Sequence, residues 1–301
     1  MINGIMIIRK EQGYTSADVV AKLRGICRQK KIGHTGTLDP NATGVLPVCL
    51  GNATRVCEML TDCHKIYEAS LRLGTTTDTQ DVWGQIISDT GENWKKLQEE
   101  DVRQTVMSFQ GDYEQLPPMY SALKINGRRL YELAREGKEV ERKTRKIMIY
   151  DIEILSINLP DIQIRVECSK GTYIRTLCHD IGSQLGCGAM MTKLERTAAS
   201  GFSLQEAYTL SEVQKLCDEG HLQDIVRDVE TCFLNYPVMH VRSEEKKRLY
   251  NGNVLEWSHF KDRMEGDIFR IYDSEDRFFA VYRTDAEKEC LKPWKIFPDM
   301  E

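Results

Sequence analysis

Apolar and polar positions follow a strand pattern and then a helix pattern at the start of the chain. Residues 3–9, NGIMIIR, are apolar enough for a first strand. Residues 15–29 repeat apolar side chains at helical spacing, which predicts an amphipathic helix with Ser16 as its N-cap. The apolar positions of that helix are Val19, Val20, Leu23 and Cys27. The chain therefore opens with a strand followed by a helix.

Strict alternation predicts three longer strands in the middle of the chain. Residues 64–74 place Tyr67 on a largely apolar face, and residues 146–157 and 161–169 are also strand-like. Residues 170–186, KGTYIRTLCHDIGSQLG, then turn directly into a helix. Its predicted buried stripe consists of Ile174, Leu177, Ile181 and Leu185. Because strands and helices mix without a regular βαβ repeat, the pattern favours the α+β class.

The pattern changes around residues 233–240. Beyond this point short strand-like pieces alternate with turns, which predicts a small β barrel or sandwich. We therefore expect two domains, a larger one over residues 1–235 and a small β domain over residues 236–301.

Composition narrows the cellular setting. The chain has 301 residues, 10 of them Cys, and it contains no C-x-x-C pair and no zinc-finger spacing with His. No apolar run approaches the roughly 18 residues of a membrane span. The first segment, MINGIMIIRK, becomes polar too soon for a secretory signal. These features predict a cytoplasmic protein with free thiols, no membrane anchor and no metal site.

The net charge is −5, but the charges are unevenly distributed and one segment is basic. Residues 121–147 carry nine Lys or Arg and four Glu, a local balance of +5. Residues 78–114 carry nine acids and three bases, a local balance of −6. The basic segment could track a phosphate backbone. A solvated helix face is the alternative, and it is the commoner explanation for a run of charges.

One loop, rich in Gly, Thr and Pro, contains a single carboxylate. Residues 33–47 read GHTGTLDPNATGVLP, and Pro40 keeps Asp39 out of the α region. The chain has no Walker, H-E-x-x-H or G-x-S-x-G motif. A lone Asp in such a loop is compatible with covalent or acid–base catalysis. An Asx-turn closed by its own side chain is the alternative, and spacing alone favours it.

Two further positions have both a chemical and a structural interpretation. Tyr67 could stack on a flat ligand, although a tyrosine on an apolar strand face is more often part of the core. Arg175 follows a strand-to-helix junction and could keep a buried carboxylate ionised. An arginine on a helix is more often at the surface. The residues alone leave these alternatives open.

Five segments, in order along the chain, resemble the TruB family of tRNA pseudouridine synthases. GHTGTLDPNATGVLPVCLG and CSKGTYIRTLCHDIGSQLGCGA are highly specific for that family. The other three are KIYEASLRLGTTTDTQDVWGQ, LPPMYSALKINGRRLYELAREG and LERTAASGF, and the resemblance covers about residues 1–205. One departure is Glu11, which lies where the family usually has a proline that shapes a turn and takes no part in the chemistry.

The resemblance implies a fold and a reaction. The fold is the pseudouridine synthase fold, a mixed and mainly antiparallel central sheet with flanking helices, followed by a small C-terminal β domain similar to the RNA-binding PUA domain. The reaction converts a uridine of the tRNA T-loop, position 55 by convention, to pseudouridine. The bond to nitrogen 1 breaks, the base turns, and the ribose rejoins at carbon 5. No atom is gained and no energy is consumed, so no cofactor or metal is expected.

The resemblance also implies roles for individual residues. Asp39 matches the essential aspartate, which attacks carbon 1′, attacks carbon 6 or removes the 2′ proton. Tyr67 matches the residue that stacks on the flipped base and assists deprotonation of carbon 5, and Arg175 matches the partner of the aspartate. His34 matches the residue that intrudes into the stack of the RNA loop. The apolar lining of the uracil pocket is matched by Tyr173 and Leu194.

An arm over about residues 116–147 is implied to close on the RNA. Its predicted contacts with the RNA backbone are Lys124, Arg142, Lys143, Arg145 and Lys146. RNA loops are recognised by shape, stacking and phosphate contact, so an acidic net charge is compatible with binding through one basic face. The expected partner is the T-stem and loop of tRNA, bound by a monomer that needs no protein partner.

Three other functions stay open at this point. A guide-dependent catalytic subunit of H/ACA particles shares the Asp motif, although the arm and the short C-terminal domain favour a stand-alone enzyme. A non-catalytic RNA binder that helps tRNA to fold would not need Asp39. A glycoside hydrolase would need a second catalytic carboxylate, for which Asp78 and Asp81 are the candidates, but TTDTQD fits the TruB pattern instead.

Overall fold

Most strands of the first three quarters of the chain belong to one large sheet. The computed structural model describes all residues except 126, 262–263, 286 and 299–301. The strands are β1 (Gly4–Lys10), β2 (Ile32–His34), β3 (Thr43–Leu50), β4 (Lys65–Leu73), β5 (Thr75–Thr77), β6 (Ile86–Asp89), β7 (Gly111–Gln115), β8 (Lys124–Ile125), β9 (Arg128–Arg129), β10 (Arg145–Asn158), β11 (Asp161–Cys168), β12 (Ala189–Ala199), β13 (Phe202–Ser203) and β14 (Val226–Arg227). The helices are α1 (Ser16–Ile26), α2 (Cys57–Thr61), α3 (Glu99–Met107), α4 (Leu130–Arg135), α5 (Ile174–Gln184) and α6 (Leu210–Asp218).

The large sheet is mixed but mainly antiparallel. Its strand order is β14-β1-β3-β12-β4-β11-β10-β7, with β13 paired to β12 and β2 paired to β3. Only the contact of β12 with β3, where Glu195 lies opposite Thr43, is parallel among the pairs that the described residues form in this sheet. The predicted α+β class and the mainly antiparallel central sheet are thus confirmed.

The alternation of β4 decides which side of the sheet carries the core. The buried residues of this strand are Lys65, Tyr67, Ala69, Leu71 and Leu73, as the alternation predicts. Helix α5 covers this face, and its described residues Ile174, Leu177 and Ile181 are buried in the same cluster. Because β4 is flanked by β11 and β12, Tyr67 lies in the middle of the sheet rather than at an edge.

The N-cap of α1 is Thr15, so the prediction of Ser16 is wrong by one residue. The hydroxyl of Thr15 accepts a hydrogen bond from the Asp18 backbone N–H at 3.0 Å, and the Asp18 carboxylate accepts one from the Thr15 N–H at 2.8 Å. This reciprocal capping box outcompetes the neighbouring serine. Ser16 is buried instead, and its hydroxyl oxygen accepts from the Leu38 N–H at 2.9 Å. Ser16 therefore holds the loop that contains Asp39.

A second sheet of five strands follows near the C-terminus. Its order is β15-β17-β18-β19-β16, in which β15 and β17 are parallel and the other pairs antiparallel. The elements are β15 (Val238–His240), α7 (Lys246–Tyr250), β16 (Leu255–Glu256), β17 (Ile268–Tyr272), β18 (Phe278–Asp285) and β19 (Cys290–Ile296). The short strands that the sequence pattern predicts are present, whereas α7 was not predicted.

An aromatic cluster joins the two sheets. Phe233 is fully buried, and its ring centroid lies 5.8 Å from that of Phe297 and 6.2 Å from that of Trp294. The same cluster contains Ile5 of β1 and Val281 of β18. The C-terminal strands therefore share a hydrophobic core with the large sheet. The division of the chain at residue 235 stays a prediction.

The helices are short in the part of the chain that the structure describes. None of them is long and apolar enough to span a membrane.

Truncating the buried ring at the centre of the aromatic cluster should destabilise the whole chain. We expect Phe233→Ala to lower the free energy of unfolding by about 3–5 kcal/mol, because a buried phenyl leaves a cavity. Leu234→Ala is the matched control, since Leu234 is the next residue and 59% exposed. Urea unfolding followed by tryptophan fluorescence measures both. A loss below about 1 kcal/mol for Phe233→Ala would contradict a shared core.

Candidate active site

The loop at residues 33–47 is held by backbone hydrogen bonds at both of its ends. Strand β2 pairs with β3, and the Thr35 N–H donates to the Pro47 carbonyl at 3.1 Å. The turn around Asp39 is closed by the main chain, because the Ala42 N–H donates to the Asp39 carbonyl at 3.1 Å. The Asp39 carboxylate pairs with Arg175 instead. The Asx-turn is therefore not what places this side chain.

Arg175 binds three separate segments of the chain with its three nitrogen atoms. Its Nε lies 2.9 Å from Oδ2 of Asp39, Nη1 donates to the Thr79 carbonyl at 2.9 Å, and Nη2 donates to the Tyr120 carbonyl at 2.9 Å. The side chain of Arg175 is 6% exposed, whereas that of Asp39 is 41% exposed. The arginine is therefore buried and fixed, and the aspartate presents an open side to solvent.

Asp81 is a second carboxylate beside the same guanidinium. Its Oδ2 lies 3.9 Å from Nε of Arg175, and its side chain is 13% exposed. Its Oδ1 accepts hydrogen bonds from the Thr79 hydroxyl at 2.6 Å and from the Trp83 N–H at 3.1 Å. Burial raises the pKa of Asp81, and the charge of Asp39 adds to that rise. Sequence reasoning named Asp81 only as a hydrolase candidate; its position in TTDTQD was the available signal.

Lys10 binds the backbone of the Asp39 loop. The sequence analysis did not single it out. The residue is fully buried, and its Nζ donates to the carbonyls of Ala42 at 2.6 Å, Pro40 at 3.1 Å and Glu11 at 3.1 Å. Burial lowers the pKa of Lys10 to about 8, and the charge of Asp39 partly opposes this shift. A lysine at the end of a largely apolar strand, directly after Arg9, was the available signal.

Tyr67 and Leu194 lie side by side in the core next to the loop. Tyr67 is 8% exposed, and Leu194 of β12 faces Ala69 of β4, the next residue on the same face. Both belong to the buried cluster that contains Leu38, the residue before Asp39. Burial raises the pKa of Tyr67. The structure thus brings Tyr67 and Leu194 to the face of the sheet next to the Asp39 loop, and their roles stay predictions.

Tyr173 is the N-cap of helix α5, the helix that carries Arg175. Gln115 fixes it, because its Oε1 accepts from the Tyr173 N–H at 2.7 Å and its Nε2 donates to the Tyr173 carbonyl at 3.0 Å. Gln115 is 1% exposed and was not singled out from sequence. Burial raises the pKa of the Tyr173 hydroxyl, on which the charges of Arg175 and Asp39 also act. Tyr173 therefore belongs to the same site.

His34 ends strand β2 at the entrance to the loop. Its Nδ1 is buried and has no hydrogen-bond partner among the described residues. Burial lowers the pKa of His34, and the charge of Arg196 adds to this effect. The contact of His34 with RNA stays a prediction.

The five basic residues predicted to contact RNA fall into two groups. Lys124, Lys143, Arg145 and Lys146 are exposed. Arg142 differs, because its side chain is 17% exposed, its Nη1 donates to the Pro117 carbonyl at 3.0 Å and its Nη2 pairs with Glu139. Arg142 thus holds the base of the arm together. Tyr120, at the same base, accepts from Arg175 and donates its hydroxyl to Asp78 at 3.3 Å.

Metal-binding side chains do not cluster in the described residues. No group of three or more His, Cys, Asp or Glu could hold a metal ion there. The chemistry that this arrangement offers is that of the accessible Asp39 carboxylate, paired with the buried Arg175, next to the core that contains the buried Tyr67.

Two family models match consecutive parts of this chain. The N-terminal domain of the TruB family pseudouridylate synthases matches residues 24–174, and the tRNA pseudouridylate synthase B C-terminal domain matches residues 175–233. The chain belongs to the TruB family. The segment that resembled this family most specifically, around Asp39, lies inside the first match, so the resemblance seen in the sequence is confirmed.

Relatives match over nearly the whole chain. The tRNA pseudouridine synthase B of Lachnoclostridium phytofermentans is 46% identical, with 98% of this chain and 100% of that protein covered. The tRNA pseudouridine synthase B of Staphylococcus aureus is 42% identical, with 99% and 100% covered. Among solved structures, a Cbf5-Nop10-Gar1 complex contains a chain that is 26% identical with a TM-score of 0.71, covering 98% of this chain and 85% of that one.

Replacing Arg175 by lysine should separate charge from geometry. Lysine keeps the positive charge but cannot reach the Asp39 carboxylate and the carbonyls of Thr79 and Tyr120 together. We expect Arg175→Lys to lower the single-turnover rate of uridine isomerisation by roughly 10²-fold. Arg165→Lys, an exposed arginine paired with Glu68 and Glu153, is the control. Equal rates for Arg175→Lys and Arg165→Lys would show that a positive charge at position 175 is enough for catalysis without the arginine geometry.

Proposed function

We propose that this protein isomerises uridine to pseudouridine in the T-loop of tRNA, at position 55 by convention. The observation that carries the proposal is the half-exposed Asp39 carboxylate, ion-paired to a buried Arg175 in a member of the TruB family. The relatives named above are tRNA pseudouridine synthases. A carboxylate that is both accessible and fixed is what an attack on ribose or base requires.

The substrate uridine has to leave the RNA stack to reach this carboxylate. Flipping costs a few kcal/mol, which stacking and apolar contact in the pocket offset. We assign the stacking face to Tyr67 and the pocket wall to Tyr173 and Leu194, all of which lie beside the Asp39 loop. His34 occupies the space in the RNA loop that the flipped base leaves. No cofactor takes part, because the product is an isomer of the substrate.

The chemical roles follow from the contacts of each group. Arg175 fixes the orientation of the Asp39 carboxylate, which attacks carbon 1′, attacks carbon 6 or removes the 2′ proton. Tyr67, in the buried cluster that adjoins the Asp39 loop, receives the proton from carbon 5 after the ribose has rejoined the base. Nitrogen 1 ends the reaction protonated, so the proton count of substrate and product is equal.

RNA binding is assigned to the arm and to the C-terminal β unit. The exposed basic residues of the arm contact phosphates of the T-stem and loop. Residues 236–301, as a PUA-like unit, contact the acceptor-stem side of the tRNA. We further propose that the protein acts as a monomer in the cytoplasm.

One specific observation favours a second candidate. The structural match to the chain of the Cbf5-Nop10-Gar1 complex allows a guide-dependent subunit of an H/ACA-type particle. The two candidates differ in what they need: a stand-alone synthase modifies bare tRNA, and a guide-dependent subunit does not. Tritium release from a tRNA transcript labelled at carbon 5 of uridine, with the purified chain alone, decides between them.

Asp39→Asn should abolish turnover and spare the fold. We expect a rate loss of at least roughly 10⁴-fold, about 5.5 kcal/mol of barrier, because the reacting oxygen is lost. RNA binding should persist, since stacking and phosphate contacts do not need this charge. Tritium release, filter binding and a melting curve measure the three properties.

Asp161→Asn is the matched control for Asp39→Asn. Asp161 pairs with Arg72 at 2.8 Å, but both side chains are exposed, so turnover should stay at the wild-type level. Normal turnover by Asp39→Asn would refute the catalytic assignment. It would favour a binder that only helps tRNA to fold.

Neutralising the exposed arm cations should weaken the salt dependence of tRNA binding. With Lys124, Lys143, Arg145 and Lys146 changed to Gln, each lost phosphate contact should reduce the log–log slope by roughly 0.7–0.9. A control variant neutralises four exposed cations outside the arm, namely Lys95, Lys96, Arg103 and Lys215. Equal slopes for the arm variant and the wild-type protein would mean that the arm cations are only solvated.

A further inference from the structure

Arg196 is a buried cation that the proposed mechanism does not use. It lies on β12 and is 1% exposed, the largest of the fully buried side chains in the described residues. No carboxylate of the described residues lies within 4.0 Å of its guanidinium nitrogens. A buried arginine without a carboxylate partner is costly and calls for a specific function.

The guanidinium of Arg196 binds the backbone of the Asp39 loop. Its Nε donates to the Val45 carbonyl at 2.7 Å, and its Nη2 donates to the Gly36 carbonyl at 3.4 Å. These two acceptors lie on opposite sides of Asp39 in the chain. The Arg196 side chain therefore links the segment before Asp39 to the segment after it.

The loop glycines are fitted to Arg196. A Cβ at Gly44 would lie 2.2 Å from the Arg196 carbonyl oxygen, which no side chain tolerates. Gly44 also has a φ of +106°, a conformation that L side chains rarely adopt. At Gly36, a Cβ would lie 3.8 Å from Nη1 of Arg196. The loop thus packs directly against this arginine, backbone to backbone.

Arg196 is also the cross-strand neighbour of Tyr67. The two residues lie directly opposite each other in the β12–β4 pairing, so their buried side chains share one face of the sheet. Burial raises the pKa of Tyr67, while the charge of Arg196 acts in the opposite direction. Cys168 of β11 and Asp39 also face Tyr67 and raise its pKa further. Arg196 is the group that favours the ionised tyrosine.

We propose that Arg196 is a positioning residue that couples the Asp39 loop to Tyr67 and keeps Tyr67 competent to take the proton from carbon 5. The inference rests on the proposed function. In this step the Tyr67 phenolate takes the proton from carbon 5, the C5–H electron pair restores the C5–C6 double bond, and the electron pair of the C6–N1 double bond moves to nitrogen 1. Nitrogen 1 then takes a proton from the Tyr67 hydroxyl, which returns Tyr67 to the phenolate. A cation beside Tyr67 stabilises that phenolate.

The test compares Arg196→Lys and Arg196→Met with Arg165→Lys and Arg165→Met. Single-turnover isomerisation is measured on tRNA transcripts that carry hydrogen or deuterium at carbon 5 of uridine. We expect Arg196→Met to lower the rate by roughly 10²-fold and Arg196→Lys by roughly 10-fold. Both should show a larger deuterium isotope effect than the wild-type protein, because proton removal has become slower. The Arg165 variants should behave like the wild-type protein.

The pH profile gives a second readout that simple support of the loop would not change. Loss of the Arg196 charge raises the pKa of Tyr67, so the rising limb of the rate should extend to higher pH in Arg196→Met. The other groups that face Arg196 are Lys10, His34, Lys65 and Cys168, and they are unchanged in every variant. Tyr67→Phe should remove this rise of the rate with pH in both the wild-type protein and Arg196→Met.

Each result separates the inference from the function on which it rests. An inactive wild-type protein would overturn the proposed function. An active wild-type protein with Arg196 variants indistinguishable from the Arg165 variants would overturn only the inference. Slow Arg196 variants with an unchanged isotope effect and pH profile would also overturn it, because the arginine would then support the loop alone. Melting curves accompany each variant, and Arg196→Lys, which keeps the buried cation, carries the test if Arg196→Met does not fold.

Discussion

The planar fork of Arg175 is the constraint around which the candidate site is arranged. A guanidinium offers donors only in its own plane and in fixed directions. Its three nitrogens meet the Asp39 carboxylate, the Thr79 carbonyl and the Tyr120 carbonyl, which belong to three segments far apart in sequence. Burying this cation is tolerable only while all three partners stay in place. One side chain on helix α5 therefore determines how these three segments are arranged at the candidate site.

The sequence predicted those parts of the molecule in which side-chain pattern and environment agree. Strand β4 shows its periodicity plainly, since its buried positions alternate and are apolar apart from Lys65. Helix α5 buries the predicted Ile174, Leu177 and Ile181, but Arg175 and Thr176 are buried as well. Asp39 and Arg175 were found because the segments around them are specific to one family. Their contact was expected from that resemblance, and the structure supplies the distance.

The residues that sequence analysis did not find are mostly polar groups in buried positions. Lys10 is the last residue of β1, and Arg196 lies among other polar residues of β12, positions at which pattern reasoning treats a charge as facing solvent. Both are satisfied by backbone carbonyls of the same loop, a contact that depends on tertiary structure and leaves no local signal. Ser16 was mistaken for a cap for the same reason, because its partner Leu38 lies 22 residues away. Arg142 reads as a surface cation and instead binds Pro117.

The hydrogen bond between Arg175 and the Tyr120 carbonyl gives the arm a thermodynamic connection to the Asp39 carboxylate. Tyr120 lies at the base of the arm, where Arg142 ties the returning chain to Pro117. A displacement of the arm that moves this carbonyl also alters the support of the guanidinium that aims Asp39. By linkage, a ligand that stabilises one arrangement of the arm stabilises the matching arrangement of the ion pair by the same free energy. Under the proposed function, binding of RNA to the arm and orientation of the Asp39 carboxylate are therefore linked, and we expect an RNA that does not contact the arm to react more slowly as well as to bind more weakly.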